Sequence, residues 1–162
     1  MTAPSPKEFR TALKAFVGTC SVLTCGEGAQ ATGLIVTSTI SPSADPPRLL
    51  ACVNRSASSW QVLQDKRRFG WSSLGAEHRA VAERFSGFGD VHGPARYDGA
   101  TWETVQPGMR LLMGAPAAFG CIVEDMIDRD GYSIVIGRVE CQRMTEGAGG
   151  LVWWNGFRAL PE

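Results

Sequence analysis

The 162 residues suffice for one domain and are too few for two, and 44% apolar against 20% charged residues is the balance of a folded globular chain rather than a disordered one. Sixteen basic residues cancel sixteen acidic ones, which excludes a broad electrostatic footprint for nucleic acid or an anionic membrane. Five cysteines without a Cys-x-x-Cys pair, no basic-then-apolar start, and no long apolar run lead to the expectation of a cytoplasmic protein with buried thiols, no signal peptide and no membrane span.

In chain order, Ser5-Pro6-Lys7-Glu8 combines a cap, a first-turn proline and a capping-box glutamate ahead of Phe9, Leu13, Phe16 and Val17, which share one helical face. This predicts an amphipathic helix ending near Gly18. Thr19 to Thr24 reads as a strand that turns through Gly26-Glu27-Gly28 into a second strand, Gly33 to Thr39, giving an antiparallel hairpin. A polar loop closed by Asp45-Pro46-Pro47 leads to a buried strand, Leu49 to Val53, and then to a helix from Ser58 to Lys66.

Arg68 to Leu74 reads as another strand, and Leu74, Val81 and Phe85 share a face of a helix over Ala76 to Phe85 that Gly87 and Gly89 terminate. Phe88 to Gly99 is the longest turn-rich segment, a binding element or a plain connection. Phe119 to Ile127 and Tyr132 to Arg143 form a hairpin on Asp130-Gly131, with Phe119, Cys121, Val123, Tyr132, Ile134 and Ile136 expected on its core face. A glycine-rich turn from Glu146 to Gly150 precedes a last strand, Leu151 to Trp154. Strands joined mostly by turns, with few helices between them, predict a mainly β architecture, an antiparallel barrel with peripheral helices over a single domain, 1–162.

The chemistry concentrates in Asn54-Arg55-Ser56-Ala57-Ser58-Ser59, between a strand and a helix start. Helix N-termini carry unpartnered N–H groups and a partial positive charge, and small residues let an anion approach, so this segment is a candidate phosphate site. Ser58 with Gln61 also reads as a capping box, and both readings stand. His78 is expected on the surface in a helical first turn, and His92 in the long loop is a surface residue or a ligand contact. Two histidines without a metal-ligand spacing predict no metal site, and no nucleophile elbow, P-loop or dinucleotide fingerprint occurs. Chemistry done by a cofactor agrees with the lack of an evident acid, base or nucleophile.

The succession VTSTISPSADPPRLLACVNRSASSW resembles the flavin reductase-like, FMN-binding split-barrel family, whose pattern is a Ser/Thr-rich loop, Asp-Pro-Pro, an apolar strand and then Asn-(Arg/Lys)-Ser-Ser-x-(Ser/Thr). Arg84-Phe85-Ser86-Gly87 and Ile136-Gly137-Arg138-Val139 extend the resemblance over most of the chain. It implies a Greek-key split barrel, a homodimer, and an NAD(P)H-dependent flavin reductase in which NADH or NADPH delivers hydride to FMN or FAD and the reduced flavin passes to a partner monooxygenase. By the same resemblance, Thr37, Ser38, Thr39 and Ile40 edge the flavin ring, and Asn54, Ser56, Ala57, Ser58 and Ser59 hold the ribityl chain and phosphate. Phe85 lies near the flavin or is ordinary core, and Trp153-Trp154 serves the subunit interface or the core.

The sequence departs from the family pattern at Thr39 and Ile40, where many relatives carry an aromatic residue and a threonine. It departs again at Tyr132, where relatives carry a histidine after Gly-Asp, and at Asn155, where an arginine or histidine is frequent. The last two changes motivate an alternative, a flavin-binding carrier or small redox module without efficient NAD(P)H oxidation. A split-barrel protein binding haem fits the scarcity of histidine less well.

Overall fold

The structure is a computed structural model that describes residues 2–160. Helix α1 spans Pro6–Leu13, and its Ser5/Glu8 capping box forms as the sequence predicts. It stops before Gly18, which opens a short strand β1, Gly18–Thr19. Its apolar side chains are not buried, with Phe9 at 55% and Leu13 at 43% exposure, and Phe16 beyond its end is exposed as well.

Strand β2 (Ser21–Cys25) and strand β3 (Thr32–Val36) form the expected hairpin. The expected polar loop after β3 is instead strand β4, Thr39–Ala44, paired with β5, Pro47–Asn54. An edge strand hydrogen-bonds on one side only, so it tolerates the proline and serines that make this stretch read as a loop. Helix α2 is Ser58–Lys66 and strand β6 is Arg68–Ser73. A 3-10 turn, Ala76–His78, runs into α3, Arg79–Phe85, and a second one, Gly93–Tyr97, lies inside the long loop.

Strands β7 (Trp102–Gln106) and β8 (Met109–Leu112) form a hairpin about Pro107-Gly108 that the sequence reading did not anticipate. Strands β9 (Ala117–Asp128) and β10 (Tyr132–Met144) form the expected Asp130-Gly131 hairpin. The chain closes with β11 (Gly150–Trp153) and β12 (Phe157–Leu160).

Seven strands make one antiparallel sheet in the order β3-β2-β6-β9-β10-β5-β4, while β1-β11-β12 make a small second sheet. Neighbouring residues on a strand point to opposite faces. Val22 and Leu23 on β2 are both buried, one in each of two core clusters, so this part of the sheet is covered on both sides. Cys20 lies in one cluster and Cys25 and Cys121 in the other, acting as the small buried hydrophobes expected of free thiols.

The core face of β10 is opposite in parity to expectation: Ser133, Val135 and Gly137 are buried, while Tyr132 is 43% exposed and Ile134 and Ile136 are half-buried. Two side chains explain it. A Cβ on Gly137 would meet Phe69 Cζ at 2.3 Å, so the ring fills the space above that glycine. Ser133 is buried with its hydroxyl satisfied, accepting from Trp60 Nε1 at 2.8 Å and donating to Asp128 Oδ1 at 2.6 Å.

Candidate functional site

The turn from β5 into α2 is built by Asn54. Its Oδ1 accepts from the Ser56 backbone N–H and from Ser56 Oγ, both at 2.9 Å, which folds the chain back on itself within two residues. Ala57 is the N-cap of α2 and offers no side-chain cap. Ser58 is therefore the first helical residue rather than the cap, and the expected Ser58/Gln61 capping box does not form. The Gln61 amide instead donates forward to Asp65 Oδ1 at 2.8 Å.

The start of α2 thus keeps first-turn N–H groups that no side chain caps, together with the partial positive charge of the helix end. Ser59 sits in the same turn at 1% exposure, and its Oγ has no hydrogen-bond partner among the described residues. A buried hydroxyl left unpaired costs free energy unless something outside the fold satisfies it.

These residues form one wall of a cavity of about 440 Å³. Gly33, Leu34 and Ile35 of β3 also line it, as do Phe85, Ser86, Gly87, His92 and Arg96. The wall around Phe85 is held by aromatic packing: its ring centroid lies 5.3 Å from that of Tyr97 and 5.5 Å from that of Trp102. Tyr97 in turn donates its hydroxyl to the Thr32 carbonyl at 2.6 Å, tying the long loop to β3. Burial pushes the Tyr97 phenol well above its ordinary range, so it stays protonated and remains a donor.

Arg96 is 6% exposed, and its Nη1 donates to the carbonyls of Gly33 at 2.9 Å and Phe85 at 3.1 Å. Its Nε is buried without a partner among the described residues. Burial pulls its guanidinium below the usual arginine range.

Of the residues the sequence singles out, Asn54, Ser56, Ala57, Ser58, Ser59 and Phe85 come together around this one cavity. Phe85 is core and cavity wall at once, at 1% exposure. Thr39 and Ile40 line a different recess of about 270 Å³, with Trp71 and Phe119 among its other residues. Thr37 and Ser38 line neither; they carry the chain from β3 to β4, and the Ser38 carbonyl accepts from the Cys52 N–H at 3.0 Å. The two recesses are joined by one short stretch of chain, from Ile35 at the first to Thr39 at the second, which bends at Ser38.

His92 reaches the cavity from the loop as an exposed lining residue. His78 is not the surface residue expected: it is half-buried, with Nδ1 accepting from the Gly75 N–H at 3.0 Å. Arg96 is the cavity residue that sequence reasoning missed, because nothing in Gly93-Pro94-Ala95-Arg96-Tyr97 signals that this arginine turns inward.

The chain is similar to known proteins over most of its length. The family model described as flavin reductase like domain matches residues 13–160. The chain is 33% identical over 141 residues to the FMN reductase (NADH) RutF 2 of Methylorubrum extorquens (strain PA1), covering 86% of this chain and 80% of that protein. It is 29% identical over 147 residues to the FMN reductase (NADH) RutF of Cronobacter sakazakii (strain ATCC BAA-894), covering 91% and 87%. Among solved structures, BorF, the flavin reductase component of a bacterial two-component tryptophan halogenase, superposes with a TM-score of 0.87 at 28% identity, covering 98% of this chain and 99% of that one. A mainly antiparallel sheet with this topology and a family match across nearly the whole chain agree, and the chain belongs to the flavin reductase like domain family.

Proposed function

We propose that the chain is a flavin reductase that oxidises NADH, reduces FMN and passes the reduced flavin to a separate oxygenase component. The observation that carries this reading is the cavity at the start of α2, where an uncapped helix end and the unpaired buried Ser59 Oγ meet. Both features suit a phosphate, and neither is satisfied by the fold alone. FMN and NADH are chosen over FAD and NADPH because the curated relatives carry those names. The same names favour a reductase over a carrier that only holds flavin.

In this reading, Asn54, Ser56, Ala57, Ser58 and Ser59 hold the phosphate end and ribityl chain. Asn54 and Ser56 act by shaping the turn, since both Ser56 donors are taken by Asn54 Oδ1, Ala57 acts by leaving the helix end open, and Ser58 and Ser59 by offering hydroxyl and N–H donors. Phe85 packs as an apolar wall that keeps water from this end. Thr37, Ser38, Thr39 and Ile40 continue from β3 and edge the ring, with the Thr39 hydroxyl fixed 2.5 Å from that of Thr19. When bound, the flavin supplies the redox chemistry, accepting a hydride from the nicotinamide. The protein's own task is orientation and the exclusion of water, for which no titrating side chain is required.

The partner is taken to be a flavin-dependent monooxygenase or a related oxygenase, as the two-component system of BorF suggests. Exposed Phe9, Phe16, Ile40 and Trp154, each more than half exposed, support a homodimer that would cover them. No described helix is long and apolar enough to cross a membrane, and we place the protein in the cytoplasm, where its five cysteines would stay reduced.

Steady-state oxidation of NADH and NADPH in air, with and without added FMN or FAD, tests the proposal. Turnover that saturates with added flavin supports it. Flavin binding without nicotinamide oxidation would return the chain to the carrier reading and implicate Tyr132 and Asn155.

A further inference from the structure

We propose that Arg96 forms the second wall of the phosphate site, facing the start of α2, so that the cavity is a two-sided clamp for a phosphate group. The inference rests on the flavin reductase reading and adds to it a residue that the α2 segment does not contain. A guanidinium at 6% exposure carries a full charge into the protein, and such charges are normally paired. No carboxylate lies within ion-pair distance of Arg96 among the described residues. The acid nearest in sequence, Asp98, faces Arg84 at 3.5 Å instead.

The two carbonyls that Arg96 does reach, those of Gly33 and Phe85, orient its plane but leave its charge uncompensated. Its Nε remains without a partner, as does the Ser59 Oγ, and both residues line the same cavity. Among the described residues, no aspartate or glutamate lines that cavity. A full positive charge, a helix N-terminus and two unpaired buried polar groups around one opening describe a site for a dianion. The terminal phosphate of FMN has that charge, and the pyrophosphate of a dinucleotide has the same chemistry. The clamp is for the phosphate of the flavin.

The test is titration of purified wild type, Arg96→Met and Arg96→Lys with FMN, riboflavin and NAD⁺, alongside thermal unfolding of each. Loss of a charge-assisted contact predicts FMN affinity lower by about ten- to a hundredfold in Arg96→Met. Riboflavin, which lacks the phosphate, should change less than about twofold on the same scale, and Arg96→Lys should recover part of the FMN affinity by restoring the charge.

Equal FMN affinity in wild type and Arg96→Met would overturn the inference while leaving the reductase reading intact. Equal losses for FMN and riboflavin in both variants would show that Arg96 only braces Gly33 and Phe85, which also overturns it. Weaker NAD⁺ binding with FMN unchanged would move the clamp to the nicotinamide dinucleotide and overturn the assignment to flavin. A wild type that binds neither flavin would remove the reductase reading itself, and this inference with it.

Discussion

Gly33 and Phe85 touch so closely that a Cβ on Gly33 would sit 2.7 Å from Phe85 Cε1, and 2.3 Å from the Leu23 carbonyl oxygen on the neighbouring strand. The glycine lets β3 pass under the phenyl ring, and the ring in turn closes one side of the cavity. Gly33→Ala should therefore destabilise the fold by about 1–3 kcal/mol through overpacking. Chemical denaturation reads that loss, and weaker FMN binding should accompany it because the displaced ring belongs to the site. An alanine variant as stable as wild type would mean that Phe85 has room to move.

Phe85→Ala tests the opposite change, space in place of crowding. The ring is buried and packs edge-on against Tyr97, so removing it should cost about 3–5 kcal/mol. Phe85→Leu, which keeps most of the volume, should cost less than half as much. If both variants were fully stable but lost flavin, Phe85 would be a ligand contact rather than core.

Ser56→Asp with Ser58→Asp places negative charge where the phosphate is proposed to bind. Both residues are exposed, so the protein should fold normally. FMN affinity should fall by more than about tenfold, with riboflavin much less affected, because like charges repel only the phosphate-bearing ligand. Unchanged FMN affinity would refute the position of the site.

Much of this site is legible in the sequence, and the part that is not has physical causes. Asn54, Ser56 and Ala57 announce a strand-to-helix turn of small polar residues, and the span of α2 follows from its local pattern. Which serine caps the helix does not follow, because capping depends on where the Asn54 turn leaves the chain. Arg96 is invisible for a stronger reason: only the folded loop shows that an arginine between Ala95 and Tyr97 is buried. Strand β4 escaped because an edge strand needs no apolar alternation, and the parity of β10 was reversed because the Phe69 ring occupies the space over Gly137.

The buried thiols give a pH signature. Burial raises Cys20 from an ordinary value of 9.0 to about 11, and Cys25 and Cys121 to about 12. A folded-state value above the unfolded one means that the unfolded chain loses these protons first. Their contribution to stability is thus complete below pH 9.0 and is lost as pH rises toward about 12. Native protein near pH 8 should react with a thiol reagent at Cys52 and Cys141 at most, and at all five cysteines once denatured. Rapid labelling of Cys25 or Cys121 in the native state would contradict the packing.

His78 sets the acid side. Burial lowers its value from an ordinary 6.5, and its Nδ1 accepts a hydrogen bond from Gly75 that a proton on that nitrogen would break. The sign is the reverse of the thiols: its stabilisation is complete above pH 6.5 and is lost as pH falls through the lowered value. His78→Asn keeps a possible acceptor without a titrating ring, so unfolding curves measured downward from pH 6.5 should be flatter for the variant than for wild type. Parallel curves would show that other groups govern acid unfolding.

Anaerobic mixing of the protein with one equivalent of FMN and excess NADH, following the loss of oxidised-flavin absorbance, tests the central claim most directly. The wild type should bleach the flavin far faster than NADH alone does, and the Ser56→Asp/Ser58→Asp protein should approach the uncatalysed rate while remaining folded. No acceleration by the wild type, or equal acceleration by the double variant, would contradict a flavin reductase whose phosphate site lies at the start of α2.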